Sequence, residues 1–376
     1  MRRRKAHYYR RTTLIAVFCA GTLIGIGVAR RMQFDALLAG LFLSIMIGAV
    51  RRRSAMAVVI TLLTGLYIGG WQGSIYMRKL ALFDSYYNQT VTLVGTAMND
   101  GVYGKQTALT FDLNGLMVKE TGQSLVGSVG VSGFGENMVF RGDVLEVSGK
   151  MRAGTGSHQG WMSFAKLRVV RRDTSLIEQV RHKFSAGMLS ALPEPLGSFA
   201  MGLLIGQRSG LPEATSEDLL HVGLVHIIAV SGYNLTIILR AGVTLFGSRS
   251  KYQTMVFSIS LISVFLLLTG SSASIVRASI VSAMSIAAWY YGRAFKPVTL
   301  ILLAAAGTAL VNPLYIWGDM GWYLSFLAFY GVMILGPLVH ERLLPPLVRD
   351  NMLVGIGMES LCAEVMTLPI VLHVFG

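Results

Sequence analysis

The sequence predicts a mainly α, polytopic transmembrane helical bundle with an inserted extracytoplasmic β-barrel. Three observations predict it. Of 376 residues, 53% are hydrophobic and only 14% charged, with mean hydropathy +0.57, too apolar for an ordinary soluble chain. Several runs of about seventeen or more apolar or small residues are long enough to cross a bilayer as helices. Between them, from about residue 88 to 173, hydropathy collapses and the chain turns polar, glycine-rich and alternating.

Net charge is +14, from 33 basic and 19 acidic residues. In a membrane chain this excess has two sources, the bias of positive loops toward the cytoplasm and a polyanionic partner, and both apply here. Cys19 and Cys362 both fall in apolar segments, which leaves neither a disulfide framework nor metal-ligand spacing.

Residues 1–77 read as the N-terminal transmembrane helices. Arg2, Arg3, Arg4, Lys5, Arg10 and Arg11 precede the first apolar run, 12–29. No small-residue cleavage site follows, so the run is an anchor rather than a signal peptide. Runs 34–50 and 54–71 follow, with Arg51, Arg52 and Arg53 between them. The densest positive charge faces the cytoplasm, which puts the N-terminus inside and the segment after the third helix outside. Gly21/Gly25, Gly40/Ser44/Gly48 and Gly65/Gly69 lie at small-xxx-small spacing and are expected to pack helices.

Residues 78–173 hold five alternating stretches, 90–94, 107–113, 126–131, 143–148 and 164–169, with glycine-containing turns, the pattern of a small β-barrel. Alternation buries Phe111 and its like.

Residues 174–376 return to helices. Ile177, Val180, Phe184, Met188 and Leu192 recur at helical spacing beside Arg181, His182 and Lys183, an amphipathic helix that suits a membrane surface. Pro193 and Pro195 end it, and 198–205 is too short to span alone, which suggests a re-entrant segment. The run 222–239 is broken at its middle by Ser231, Gly232, Tyr233 and Asn234. Such a break needs partners for its freed backbone groups, from protein or from a watery cavity. It reads either as a substrate-binding break or as a small-residue packing notch. Further runs occupy 253–268, 274–291, 298–310, 321–339 and 352–375. Arg240 and Arg277 either snorkel to headgroups or serve a path, and Asp319 either caps a helix or joins it.

Four ordered motifs resemble the ComEC/Rec2 competence family. The first is Gly206-Gln207-Arg208-Ser209-Gly210-Leu211, followed by Gly223, His226, Ala229, Ser231 and Gly232. The others are Ser274-x-x-Arg277-Ala278, then Asp319-x-Gly321-x-x-Leu324-Ser325-Phe326 after Asn312-Pro313-Leu314, and Thr367-Leu368-Pro369 through His373. Two positions depart from the family: Gln207 stands for a usual aspartate and Asn234 for a common histidine, so no titrating role attaches to position 234. The resemblance covers residues 85–376 and implies an inner-membrane channel that passes single-stranded DNA into the cytoplasm during natural transformation. It implies a path lined by Ser231, Gly232, Asn234, Arg240, Arg277, Asp319 and Ser325.

Residues 141–150 resemble the OB-like domain that family members insert after their first helices. An OB-like barrel stacks bases on aromatics beside a basic groove. Tyr103, Phe134, Phe140, Trp161 and Phe164 are the candidate stackers, with Trp161 foremost, and Lys150, Arg152 and Lys166 the candidate phosphate contacts. Equally, these aromatics fill the barrel core or touch the membrane interface. Asp100, Asp112, Glu120, Glu136, Asp143 and Glu146 are expected to dilute the basic patch.

The implied partners are single-stranded DNA, membrane lipids, DNA-receptor and motor proteins, a separate nuclease and further copies of the chain. No cofactor is implied, and no nucleotide-binding motif is present, which assigns energy supply to another protein. Many relatives carry a C-terminal metallo-β-lactamase-like domain. This chain has none and stops at Gly376 within a family element, which predicts a fragment or split gene product without enzymatic activity. A membrane scaffold whose β domain binds a partner, lipid or nucleic acid is the alternative.

Overall fold

The structure, a computed structural model, describes residues 9–50, 54–103, 108–136, 138–154, 158–205, 235, 238–239, 242–244, 250–269, 273–292, 296–343 and 352–375. The chain is mainly helical with a separate sheet, and it divides into two compact units, Met1–Met77 with Ala287–Gly376, and Arg78–Ile286. Four helical stretches among the described residues are long and apolar enough to cross a membrane: Arg11–Val28, Ala55–Asp84, Lys251–Thr269 and Met320–Arg342.

In the first unit, α1 (Arg11–Val28) crosses α3 (Ala55–Asp84) through glycines. A β-carbon on Gly21 would lie 2.4 Å from the Leu62 carbonyl oxygen, and one on Gly25 would lie 2.0 Å from that of Leu66. From the other side, Gly65 and Gly69 sit as tightly on Phe18 and Thr22. Both predicted small-residue pairs therefore bring backbones together, where van der Waals packing holds helices.

The third stripe behaves differently. Along α2 (Ala36–Val50), nothing comes within 4 Å of a β-carbon at Gly40 or Gly48, and the Ser44 hydroxyl donates only to Gly40. That helix meets α3 through Phe42 stacked on Tyr67 at 4.5 Å and the Thr64 hydroxyl on the Phe42 carbonyl. Aromatic bulk on the other face fixes the contact, so the small stripe is left open.

The unit continues with α8 (Pro297–Val311), α9 (Leu314–Gly318), α10 (Met320–Tyr330), a π-helical turn (Gly331–Leu335), α11 (Gly336–Leu343) and α12 (Met352–Phe375). Trp317 donates its indole N–H to the Ile26 carbonyl at 2.9 Å, and Gln72 donates to that of Leu310 at 3.0 Å, tying the two ends of the chain. Gly331, in the π turn, presses on the Cys362–Ala363 backbone of α12.

The second unit carries β1 (Thr90–Ala97), β2 (Val102–Tyr103), β3 (Leu109–Val118), β4 (Ser124–Leu125), β5 (Val129–Phe134), β6 (Val144–Ala153) and β7 (Gly160–Arg171). The five predicted strands form: β1, β3, β6 and β7 are longer than the alternation alone outlines, and β5 keeps the expected length but starts three residues later. They pair in the order β1–β6–β7–β5–β3, and β3 pairs again with β1, so the ladder path returns to its start. Every pairing on that path is antiparallel except β5–β7. Inward positions Leu93, Phe111, Leu113, Leu145, Val147, Met151 and Met162 form the buried core.

Hydropathy places the end of the third helix near residue 71, yet α3 runs on to Asp84. Its last turn carries Phe83, fully buried among the sheet's core residues. A large aromatic seated in the sheet's interior stabilises helix past the end of the apolar run, because tertiary packing outweighs local composition.

Helices α4 (Leu176–Ala191), α5 (Leu196–Ile205), α6 (Lys251–Thr269) and α7 (Ala273–Tyr290) complete the described elements. The predicted amphipathic helix is α4, started by Ser175, whose hydroxyl accepts from the Glu178 amide as an N-cap should.

Candidate functional site

On the sheet, a period of two sends Arg152 and Lys150 of β6 outward, while β7 sends out Trp161, Ser163, Lys166 and Arg168. Register aligns them in rows. Arg152 lies opposite Trp161, which lies opposite Gly130 of β5, itself opposite Asp112 of β3. Next to that row, Lys150, Ser163, Ser132 and Thr110 align, and then Ser148, Lys166 and Phe134. The four predicted contacts Lys150, Arg152, Trp161 and Lys166 therefore share one face, joined by Arg168, which sequence reasoning missed.

Two of the acids share this face, Asp112 at the end of the Arg152 row and Glu146 opposite Arg168, and dilute it as expected, whereas the other four are held by backbone amides and arginines. Asp100 accepts from the Arg141 amide and Arg181, Glu120 from the Thr92 amide, and Glu136 from the Val169 amide. Asp143, 1% exposed, accepts from the Phe140 and Asp173 amides and from Arg172. Asp112 meets His158 at 2.9 Å, and Glu146 meets Lys119 at 2.6 Å. Asp112 and Glu146 are taken up by His158 and Lys119, and Lys150, Arg152, Lys166 and Arg168 carry no ion pair among the described residues. Composition counts charges, whereas the fold decides which neighbours they meet.

The candidate stackers separate by environment. Trp161 is half-buried, its six-membered ring lying where a β-carbon on Gly130 would be 2.1 Å from Cε3 and Cζ3, with His158 edge-on at 6.2 Å. One indole face is thus sealed by the strand. Phe140 lies beneath the Arg172 guanidinium at 5.6 Å. Tyr103 is exposed on short β2. Phe164 and Phe134 stand most open as a pair, 74% and 38% exposed, with ring centroids 6.3 Å apart and planes 25° from parallel.

A second cluster was not visible in the sequence. Arg141, just before β6, gives its Nε hydrogen to Glu178 of α4 at 2.8 Å and its Nη2 hydrogen to the Leu267 carbonyl at 2.9 Å. Arg181 of α4 grips Asp100 from the β1–β2 loop and also reaches Glu178 at 3.2 Å. Burial alone would lower the Arg181 pKa, but hydrogen bonds and charge from Asp100 and Glu178 outweigh it and raise it. The sheet's loops are thus clamped to α4 and to the C-terminal turn of α6, where an orphan carbonyl suits a cation.

Among the predicted path residues, Ser231, Gly232, Asn234 and Arg240 lie outside the described residues, as does the broken run around them apart from Leu235, Ile238 and Leu239. Arg277 sits on α7 and is 2% exposed, flanked by buried Ala278 and Ser279. Asp319 is the N-cap of α10, its carboxylate accepting from the Trp322 amide at 3.1 Å. Ser325 lies six residues further along, half-buried on α10. Next to it, Trp322 donates its indole N–H to the Thr308 hydroxyl at 3.1 Å, fixing α10 on α8.

A family model described as "Competence protein" matches residues 203–376. The chain is also similar to ComE operon protein 3 of Bacillus subtilis (strain 168), 23% identical over 194 residues, covering 50% of this chain and 23% of that protein. The chain thus spans about a quarter of the length of the curated relative it matches. No solved structure matches it. Segment 203–376, with Arg277, Asp319 and Ser325 inside it, is the part of this chain that matches the competence-protein family.

Proposed function

We propose that this chain is an inner-membrane channel protein that passes single-stranded DNA into the cytoplasm during natural transformation. One observation carries it: a competence-family segment shares a chain with, among the described residues, four membrane-length helices and a sheet that turns four basic side chains outward. Lys150, Arg152, Lys166 and Arg168 form a face suited to a phosphate backbone, which gains affinity by releasing counterions. The pairing order supports an OB-type barrel. Counting β1, β3, β5, β6 and β7 as five strands, the first pairs with the second and fourth, and the third pairs in parallel with the fifth.

Arginines at 2–4 and 51–53 favour a cytoplasmic N-terminus and an extracytoplasmic sheet. Ser231, Gly232, Asn234, Arg240, Arg277 and Ser325 line the path in this proposal, while Asp319 holds the start of α10. In this proposal the chain transports DNA, and receptor, motor and nuclease activities belong to other parts of the uptake machinery. Removing the gene from a transformable host should leave DNA at the surface and abolish DNase-protected DNA, and the wild-type gene should restore protection. Undiminished protection in the deletion strain would refute the proposal. A non-transporting scaffold is the second reading, favoured by the burial of Arg277, whose guanidinium lies within packed helix rather than on an open path.

A further inference from the structure

Phe164 is a non-glycine residue at φ +55°, in the left-handed region where a β-carbon is disfavoured. It sits at a bulge of β7. The register to β5 slips between Ser132 and Gly133, and that to β6 slips between Ser148 and Lys150. Both flanking strands make room with glycine: a β-carbon on Gly133 would lie 2.3 Å from the Ala165 carbonyl oxygen, and one on Gly149 would lie 3.2 Å from Ala165 Cα. A bulge re-aims a side chain, and backbone strain of this kind persists where the surrounding structure enforces it. The side chain re-aimed here points to solvent and stacks on Phe134, whose register partner is Lys166.

We infer that the Phe164–Phe134 pair, with Lys166 beside it, is a stacking subsite for a nucleobase of single-stranded nucleic acid, and that Trp161 is a wall of the sheet rather than the platform. The inference rests on the DNA reading proposed above. Two open aromatic rings offer a π-face that any base can use, and the unpaired bases along β6 and β7 supply the charge complement for its phosphates. Trp161 has spent one face on Gly130. Burying a ring in the core would need no bulge, no left-handed residue and no glycine on either side.

The test uses the full-length protein in lipid nanodiscs and two fluorescent probes, an oligothymidylate and an abasic sugar–phosphate strand of equal length. Phe164→Gly should weaken oligothymidylate binding roughly 5- to 150-fold and leave the abasic strand unchanged. The same variant should melt at or above the wild-type temperature, because glycine adopts this φ without strain. Phe164→Trp should retain binding, and its fluorescence should be quenched by the oligonucleotide. Lys166→Ala should weaken both probes alike and flatten the salt dependence. Equal oligothymidylate affinity in wild type and Phe164→Gly would overturn the subsite while leaving the DNA reading standing. Quenching of Phe164→Trp by brominated lipid instead of oligonucleotide would also overturn it, assigning the pair to the membrane surface. Failure of the wild type to bind either strand would bring down the subsite and the DNA reading together.

Discussion

Arg181 meets Asp100 at two points across 81 residues of chain, Nη1 on Oδ1 at 3.0 Å and Nη2 on Oδ2 at 2.5 Å, with both side chains 8% exposed. Both belong to the junction that joins the sheet's loops to α4. Arg181→Met should cost about 3–5 kcal/mol, because Asp100 would stay buried without its cation. Asp100→Asn in the same background should recover part of that loss. Thermal unfolding of the detergent-solubilised protein measures both, and a single variant within about 0.5 kcal/mol of wild type would show the pair to be ornamental.

Phe83 gives a second test. It is the α3 residue buried in the sheet's core, so Phe83→Ala should destabilise the sheet by roughly 3–5 kcal/mol. Limited proteolysis should then cut the β1–β7 region first. Unchanged protease resistance would mean that the sheet does not depend on the helix that enters it.

The glycine crossing of α1 and α3 is specific to position. Gly25→Leu must push the helices apart, since even a β-carbon there comes within 2.0 Å of the Leu66 carbonyl oxygen. Gly40→Leu meets nothing within 4 Å and should be neutral. Membrane abundance and melting temperature should fall for the first variant, by about 1–3 kcal/mol of stability, and hold for the second. Equal effects would contradict the crossing.

Sidedness is tested at Thr121, which is exposed in the turn after β3. Thr121→Cys, in a background without Cys19 and Cys362, should react with a membrane-impermeant maleimide in intact cells. Protection in intact cells with reaction after lysis would place the sheet inside, against the arginine distribution.

Much of this fold is legible from periodicity. A period of two outlines the five long strands and puts Phe111 inside, and uninterrupted apolar runs locate the helices, because both patterns follow from burying one face of a repeating element. The Gly21/Gly25 and Gly65/Gly69 contacts were legible for the same reason. The Gly40/Ser44/Gly48 stripe was misread, since spacing says which face is small and leaves open whether a partner comes to it. What was not legible depends on contacts distant in sequence. Phe83 reads as the tail of a helix until the core it fills is seen. Asp100 and Asp143 read as a solvated negative charge until their arginines are placed beside them. The signal for the bulge at Phe164 was present as Gly133 and Gly149, but glycines in strands announce a bulge only once packing shows both of them against the same residue, Ala165.

Passage of single-stranded DNA is tested most directly by reconstitution. Purified full-length protein is inserted into liposomes loaded with a single-strand-binding protein, and labelled single strands are added outside. The account predicts strands that become nuclease-resistant with wild-type protein, and strands that bind yet stay nuclease-sensitive with Gly232→Leu at comparable insertion. Wild-type liposomes that bind strands while leaving every one of them open to nuclease would contradict it.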